Sequence, residues 1–268
     1  AGNLSVDSGT IKLDGNFPTG TNNVALGDSA LDSGSLTGER NVAIGTNTLT
    51  ANTTGTRNTA LGYNSLCTNT TGACNTALGT QSLENNLDGI ENTGLGYATL
   101  FYNTSGDKNT AVGRSALQSN TTASNNTALG FCSLYANTTG AENVAVGSYA
   151  LQKNTTGGVN VGIGLCALCS NTTASNNVGV GGFSLCTNTT GTGNTATGIN
   201  SLRFNTTAND NTAFGQNALC ANTTGFQNTA VGDSSLKANT TGCCNTSLGR
   251  SSLTANTTGN FNTAVGRG

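Results

Sequence analysis

The nine cysteines are the most reactive side chains of this chain, and two of them are spaced so that they could react with each other. Cys169 and Cys186 lie 186 − 169 = 17 residues apart, which is the length of the repeat described below. Successive coils would bring them within the Cα separation that permits a disulfide. Two interpretations stay open, a disulfide and a pair of small reduced thiols. Because the number of cysteines is odd, at least one thiol is free or paired between chains.

Aromatic side chains form the second candidate site. Most of the 5 Tyr and 8 Phe fall at positions of the repeat whose residue type varies freely, so we expect them to be exposed. Exposed aromatic clusters often mark a contact surface, and flat rings suit the apolar faces of sugars. The alternative is that some rings only fill gaps between protomers. The predicted contact residues for a glycan or receptor are Tyr97, Phe101, Tyr102, Phe131 and Tyr135.

Catalytic chemistry has little support, because the chain contains no His and therefore no Ser/His or Cys/His pair. The acids Glu84, Asp88 and Glu91 cluster only where one repeat is irregular, which favours a solvated loop. Calcium-binding solenoids need a regular Asp, and this repeat has none. We expect no enzyme activity, no catalytic residue, no cofactor and no metal site.

The charge pattern also excludes two kinds of partner. The net charge is −2, only 8% of residues are charged, and no basic cluster marks a nucleic-acid surface. No apolar run approaches the roughly 18 residues that a membrane-spanning helix needs. We expect neither nucleic-acid binding nor insertion into a membrane.

A 17-residue repeat positions all of these side chains. Its template is N-[TV]-A-[LVI]-G-x-x-[SA]-L-x-x-N-T-T-G-x-x, and strict short periods are typical of solenoids. The chain therefore divides into residues 1–22, an N-terminal cap or a joint to a preceding domain, and residues 23–268, the repeat array. The first Asn of the unit stands at 23, 41, 58, 75, 92, 109, 126, 143, 160, 177, 194, 211, 228, 245 and 262.

The residue types of the unit predict an all-β fold. Gly, Asn and Thr are poor in helix interiors, whereas Asn-Thr-Ala-Leu-Gly alternates as a short strand does. We expect a second strand around Leu66, and coils of two or three strands that stack at about 4.8 Å into a parallel β-roll or β-solenoid. Leu61 and Leu66 should supply the apolar core of their coil, and Leu134 and Leu151 should likewise be buried inside the coils.

Both faces of the first strand keep their residue types in nearly every repeat. One face carries Thr59 and Leu61, and the other carries Asn58 and Ala60. A face in contact with water should vary freely, so we expect one face inside the coil and the other against another surface. A second and a third copy of the chain are the simplest source of that surface, which predicts a homotrimeric rod.

Two asparagines per unit predict ladders of side-chain amides along the array. The second of them opens an Asn-Thr-Thr sequence, which is formally a glycosylation acceptor, and that alternative stays open beside the turn ladder. Successive residues of one ladder are Asn58, Asn75 and Asn92, and those of the other are Asn52, Asn69 and Asn86.

Over residues 23–268, the Asn-Thr-Ala-Leu-Gly…Ser-Leu…Asn-Thr-Thr-Gly units resemble repeats of phage and viral tail-fibre proteins. They are also similar to the head repeats of trimeric bacterial autotransporter adhesins. That resemblance implies a left-handed parallel β-roll packed as a trimer, and a location outside a cell, on a cell surface or on a virion. The function expected is that of a non-enzymatic fibre or adhesin shaft.

Two other functions remain as alternatives. The array stops partway through a unit, which suggests a self-assembling extracellular filament. Stacked Thr residues suggest an ice-binding solenoid, although Thr70 and Thr71 are adjacent and should point to opposite sides.

Overall fold

The structure is a computed structural model that describes residues 22–268, so the predicted cap or joint at residues 1–22 lies outside the described residues apart from Asn22. One parallel sheet of 15 strands, paired in chain order, runs the whole length of this part. No helix occurs within residues 22–268. The prediction of an all-β parallel β-solenoid with 17-residue coils is confirmed.

Each strand has three residues, and each coil contributes one strand. The strands are β1 (Val24–Leu26), β2 (Val42–Ile44), β3 (Thr59–Leu61), β4 (Thr76–Leu78), β5 (Thr93–Leu95), β6 (Thr110–Val112), β7 (Thr127–Leu129), β8 (Val144–Val146), β9 (Val161–Ile163), β10 (Val178–Val180), β11 (Thr195–Thr197), β12 (Thr212–Phe214), β13 (Thr229–Val231), β14 (Thr246–Leu248) and β15 (Thr263–Val265).

Identical positions of successive coils lie directly beside one another. Thr59 of β3 pairs with Thr76 of β4, and Leu61 pairs with Leu78. We therefore number the positions of a coil from the Asn before its strand, with Asn58 at position 1, and call the set of residues at one position a row. Each row runs along the solenoid.

Gly62, at position 5, ends the strand of its coil. Its φ is 132°, which side chains rarely tolerate, and a Cβ at this residue would lie 2.6 Å from the carbonyl oxygen of Gly79 in the next coil. The close approach of two backbones therefore requires glycine at this position.

The predicted second strand around Leu66 is wrong. Asn64 and Leu66 both have left-handed backbones, with φ of 55° and 50°, so this part of the coil is a turn. A left-handed backbone costs an L-residue about 1–2 kcal/mol. Full burial of a leucine side chain stabilises by about 1.5–3 kcal/mol, which offsets that cost. The turn is therefore compatible with an apolar residue that points inward.

Leucines at position 9 and alanines at position 3 form the apolar interior. Leu66 and Ala60 are fully buried. Leu134 and Leu151 are also 0% exposed, as predicted, and belong to the same continuous core.

The predicted asparagine ladders fill the rest of the interior. Asn75 donates its backbone N–H to Oδ1 of Asn58 at 2.9 Å, and Nδ2 of Asn58 donates to the carbonyl of Gly72 at 2.8 Å. In the second ladder, Nδ2 of Asn69 donates to Oδ1 of Asn52 and to the carbonyl of Gly72, both at 3.0 Å. Both hydrogens of this buried amide are used, so the glycosylation alternative is wrong for the Asn69 row.

Candidate functional site

The sheet has one inner and one outer face, and the amide ladder decides which is which. Asn58 must reach Gly72 across the coil, so the face of Asn58 and Ala60 is the inner one. Thr59 and Leu61 face outward, and Leu61 is 44% exposed. The prediction of one face inside the coil is confirmed. Leu61 was expected to contribute to the apolar core of the coil, and this is wrong, because it lies on the outer face.

We call positions 2 and 4 of the 15 strands the outer sheet face. Neither row contains a charged residue within residues 22–268. Position 2 is Thr or Val, and position 4 is Leu, Ile or Val in nearly every coil. The centre of the face, on β8–β10, is wholly aliphatic and consists of Val144, Val146, Val161, Ile163, Val178 and Val180.

The five predicted contact aromatics do not form one cluster. Tyr97 and Phe131 are at position 6, next to the outer sheet face, whereas Phe101 and Tyr135 are at position 10 and Tyr102 at position 11. The rings of Phe101 and Tyr102 meet edge to face, with centroids 4.6 Å apart. Four of the five are exposed, and Phe101 is half-buried. The role of these rings in contacts stays a prediction.

Two residues that were not predicted from the sequence, Arg114 and Tyr149, contact the rings at position 6. The guanidinium carbon of Arg114 lies 5.8 Å from the ring centroids of both Tyr97 and Phe131. Tyr149, at position 7 of the following coil, meets Phe131 edge to face at 5.2 Å. The signal was available, because Tyr97, Arg114 and Phe131 are successive residues at a spacing of 17. We call these four residues the Arg114 cluster.

A second arginine also lies between rings. The guanidinium carbon of Arg203 is 5.2 Å from the ring centroid of Phe183 and 5.1 Å from that of Phe204. Unlike Arg114, it donates a hydrogen bond to Oδ1 of Asn200, at 3.3 Å.

The structure brings Cys169 and Cys186 together as reduced thiols, with their sulfur atoms 3.4 Å apart. The hydrogen bond from Cys186 stabilises the thiolate of Cys169 and lowers the pKa of Cys169 to about 6. The same contact raises the pKa of Cys186, because its proton is held by Cys169. Burial raises the pKa of Cys67 and Cys220. Whether the predicted disulfide forms therefore depends on the oxidation of the two thiols. The two sulfur atoms need to move only slightly to form the bond.

We expect Cys169 to be alkylated before Cys67 and Cys220 at pH 7. Its lowered pKa leaves it mostly thiolate, the reactive form, whereas the raised pKa values of Cys67 and Cys220 keep them protonated. Brief treatment with iodoacetamide followed by peptide mapping measures the order. Equal labelling of the three residues would contradict it.

Oxidised glutathione should convert the pair into a disulfide. The thiolate of Cys169 displaces one glutathione thiolate, and Cys186 then displaces the second, so two electrons pass to glutathione and one protein S–S bond forms. The Cys186→Ser variant should stop at the mixed disulfide on Cys169. A mixed disulfide on the unaltered chain would show that the two sulfurs cannot join.

These features define a β-solenoid with an uncharged outer sheet face and two clusters of aromatic residues around arginine. Comparison with protein-family models, curated proteins and solved structures finds no match. Within residues 22–268 the structure contains no helix with the length and apolarity needed to cross a membrane.

Proposed function

We propose that this chain is a non-enzymatic fibre or adhesin shaft that assembles as a parallel homotrimer outside a cell, on a cell surface or on a virion. One observation carries the proposal, the uncharged outer sheet face that runs along all 15 strands. The shaft would hold a recognition surface for a cell-surface glycan or receptor away from its anchor.

The outer sheet face is a poor surface for an isolated chain in water. Leu61 is 44% exposed, Ile163 38% and Leu248 46%, and between them position 4 is aliphatic except at Thr197 and Phe214. Monomers rarely expose contiguous apolar surface of this length, and such surfaces usually mark contacts with other chains. Burying the row against further copies removes it from water. The number three comes from the resemblance to trimeric adhesin heads and tail fibres.

The interior suits a stiff shaft. Leu151 lies in an apolar core that continues from coil to coil, and the amide ladders beside it link each coil to the next. Bending the array would have to break buried hydrogen bonds, which are costly to leave unmade. A mechanical role therefore requires no chemistry beyond the repeat itself.

Ile163→Asp should dissociate the assembly, because parallel packing would bring the carboxylates of three copies together in an apolar interface. Sedimentation in non-denaturing buffer should give about three times the 26.6 kDa chain mass for the unaltered protein. The Ile163→Asp variant should sediment at the mass of one chain. The matched control is Leu87→Asp, the same kind of change at a 45% exposed residue outside the sheet. A stable monomer of the unaltered chain would contradict the proposal.

Ice binding is the second candidate, because position 2 presents outward Thr residues on β3–β7 and again on β11–β15. The Asn-Thr-Thr turns give less support, since Oγ1 of Thr70 donates to the carbonyl of Leu87 at 3.0 Å. Of the two threonines in the turn, only Thr71 therefore belongs to an exposed row. Absence of thermal hysteresis in the purified protein would remove this candidate.

A further inference from the structure

The Arg114 cluster differs from an ordinary exposed arginine in how the side chain is held. Tyr97 and Phe131 flank the guanidinium, with both ring centroids 5.8 Å from its central carbon, and Tyr149 supports Phe131 from the next coil. Attraction between a guanidinium and a ring contributes about 0.5–1 kcal/mol at exposed sites. Two rings therefore restrict the arginine without occupying its N–H groups.

The charge of Arg114 is not neutralised by the protein. Within residues 22–268 its guanidinium makes no ion pair, whereas Arg250 pairs with Asp233 at 3.4 Å. Positions 6 and 7 contain no Asp or Glu in the coils of β3–β12. Glu84 reaches this side of the solenoid only at Asn64, three coils before Arg114. A positive charge with free donors thus stands on an otherwise uncharged surface.

We propose that the Arg114 cluster binds a saccharide that bears a carboxylate or a sulfate. The guanidinium presents a planar set of donors that matches two oxygens of such an anion at once. Tyr97 and Phe131 are 49% and 37% exposed, so their rings can also cover the C–H face of the sugar ring. This inference rests on the proposed function and adds the chemical class of the ligand.

The position of the cluster agrees with that role. Position 6 follows the strand and its glycine, so the cluster flanks the outer sheet face and does not belong to it. Assembly through positions 2 and 4 would leave the outward side of Arg114 in solvent. The cluster spans four successive coils, from that of Tyr97 to that of Tyr149, which suits a ligand of more than one sugar unit.

The test uses immobilised polygalacturonate, dextran sulfate and neutral dextran, with binding of the full chain followed by biolayer interferometry. At least one acidic polymer should bind more tightly than dextran. Arg114→Gln should weaken that binding at least about tenfold, because a hydrogen bond to a charged group is lost. Arg57→Gln, an exposed arginine at position 17 with no ring beside it, should leave binding unchanged.

Several results would overturn the inference. Binding of dextran as tight as that of both acidic polymers would do so, as would an unchanged affinity in Arg114→Gln. Equal losses in Arg57→Gln and Arg114→Gln would mean general charge attraction and no specific site. Sedimentation of Arg114→Gln is the folding and assembly check, and dissociation of that variant would assign the cluster to an interface. Failure of the proposed function would be recognised separately, because the unaltered chain would then sediment as a monomer.

Discussion

Leu151→Asp should destroy the cooperative fold of the coils around it. Leu151 is 0% exposed and packs within the continuous leucine and alanine core. The change removes about 1.5–3 kcal/mol of apolar burial and introduces a carboxylate whose desolvation costs several kcal/mol more. That total is comparable with the whole stability of an ordinary domain, about 5–15 kcal/mol. Thermal melting followed by circular dichroism should show a large fall in the midpoint or no transition at all.

Leu87→Asp is the matched control for this change. Leu87 occupies position 13, where other coils carry Thr, and its side chain is 45% exposed. Its backbone N–H and carbonyl make the contacts with neighbouring coils, and an Asp keeps both. The variant should melt close to the unaltered protein. If Leu151→Asp melts as Leu87→Asp does, the assignment of inside and outside is wrong.

Asn143→Ala should have the second largest effect, although the residue is polar. Oδ1 of Asn143 accepts the backbone N–H of Asn160 at 3.0 Å, and Nδ2 donates to the carbonyl of Gly157 at 2.9 Å. Alanine would leave the Asn160 N–H buried without an acceptor and would open a cavity. The expected loss of unfolding free energy is roughly 3 kcal/mol or more. Chemical denaturation measures it as a shift of the midpoint at unchanged slope.

Asn125→Ala is the control, because Asn125 is exposed at position 17 and lies outside both ladders. Its backbone is left-handed, with φ of 62°, so alanine should cost only about 1 kcal/mol. Similar losses in the two variants would mean that the asparagines act through backbone conformation and that the ladder bonds contribute little.

The period of the sequence predicts much of this fold. A strict spacing of 17 residues with Leu and Asn at constant positions implies stacked coils, buried leucines and amide ladders, and all three are present. These features follow from register alone, because a repeat that stacks on itself must align identical side chains.

Backbone conformation is where sequence reasoning failed. The predicted strand around Leu66 assumed that an apolar residue continues a strand, whereas Leu66 has φ of 50°. Leucine rarely adopts that conformation, so composition gives no sign of it. The core role of Leu61 was wrong for a related reason, since hydrophobicity favoured leucine inside. The amide of Asn58 bonds to the carbonyl of Gly72 and the N–H of Asn75 inside the coil. These hydrogen bonds, and not the hydrophobicity of Leu61, determine which face of the strand points inward.

The candidate site was predictable only in part. Chain proximity grouped Tyr97 with Phe101 and Tyr102, but Tyr97 contacts Arg114 of the next coil, whereas Phe101 and Tyr102 contact each other. The cluster that does form follows one row for Tyr97, Arg114 and Phe131, which are 17 residues apart, and Tyr149 joins it from the neighbouring row, 149 − 131 = 18 residues after Phe131. The same rule correctly paired Cys169 with Cys186.

Electron microscopy of the purified chain tests the central claim of assembly most directly, because end-on views count the chains around the axis. We predict discrete rods with three solenoids in cross-section and the outer sheet faces turned toward one another. Continuous fibres would favour a self-assembling filament. Rods that contain a single solenoid, with the aliphatic row of Leu61 and Ile163 in water, would contradict trimeric assembly.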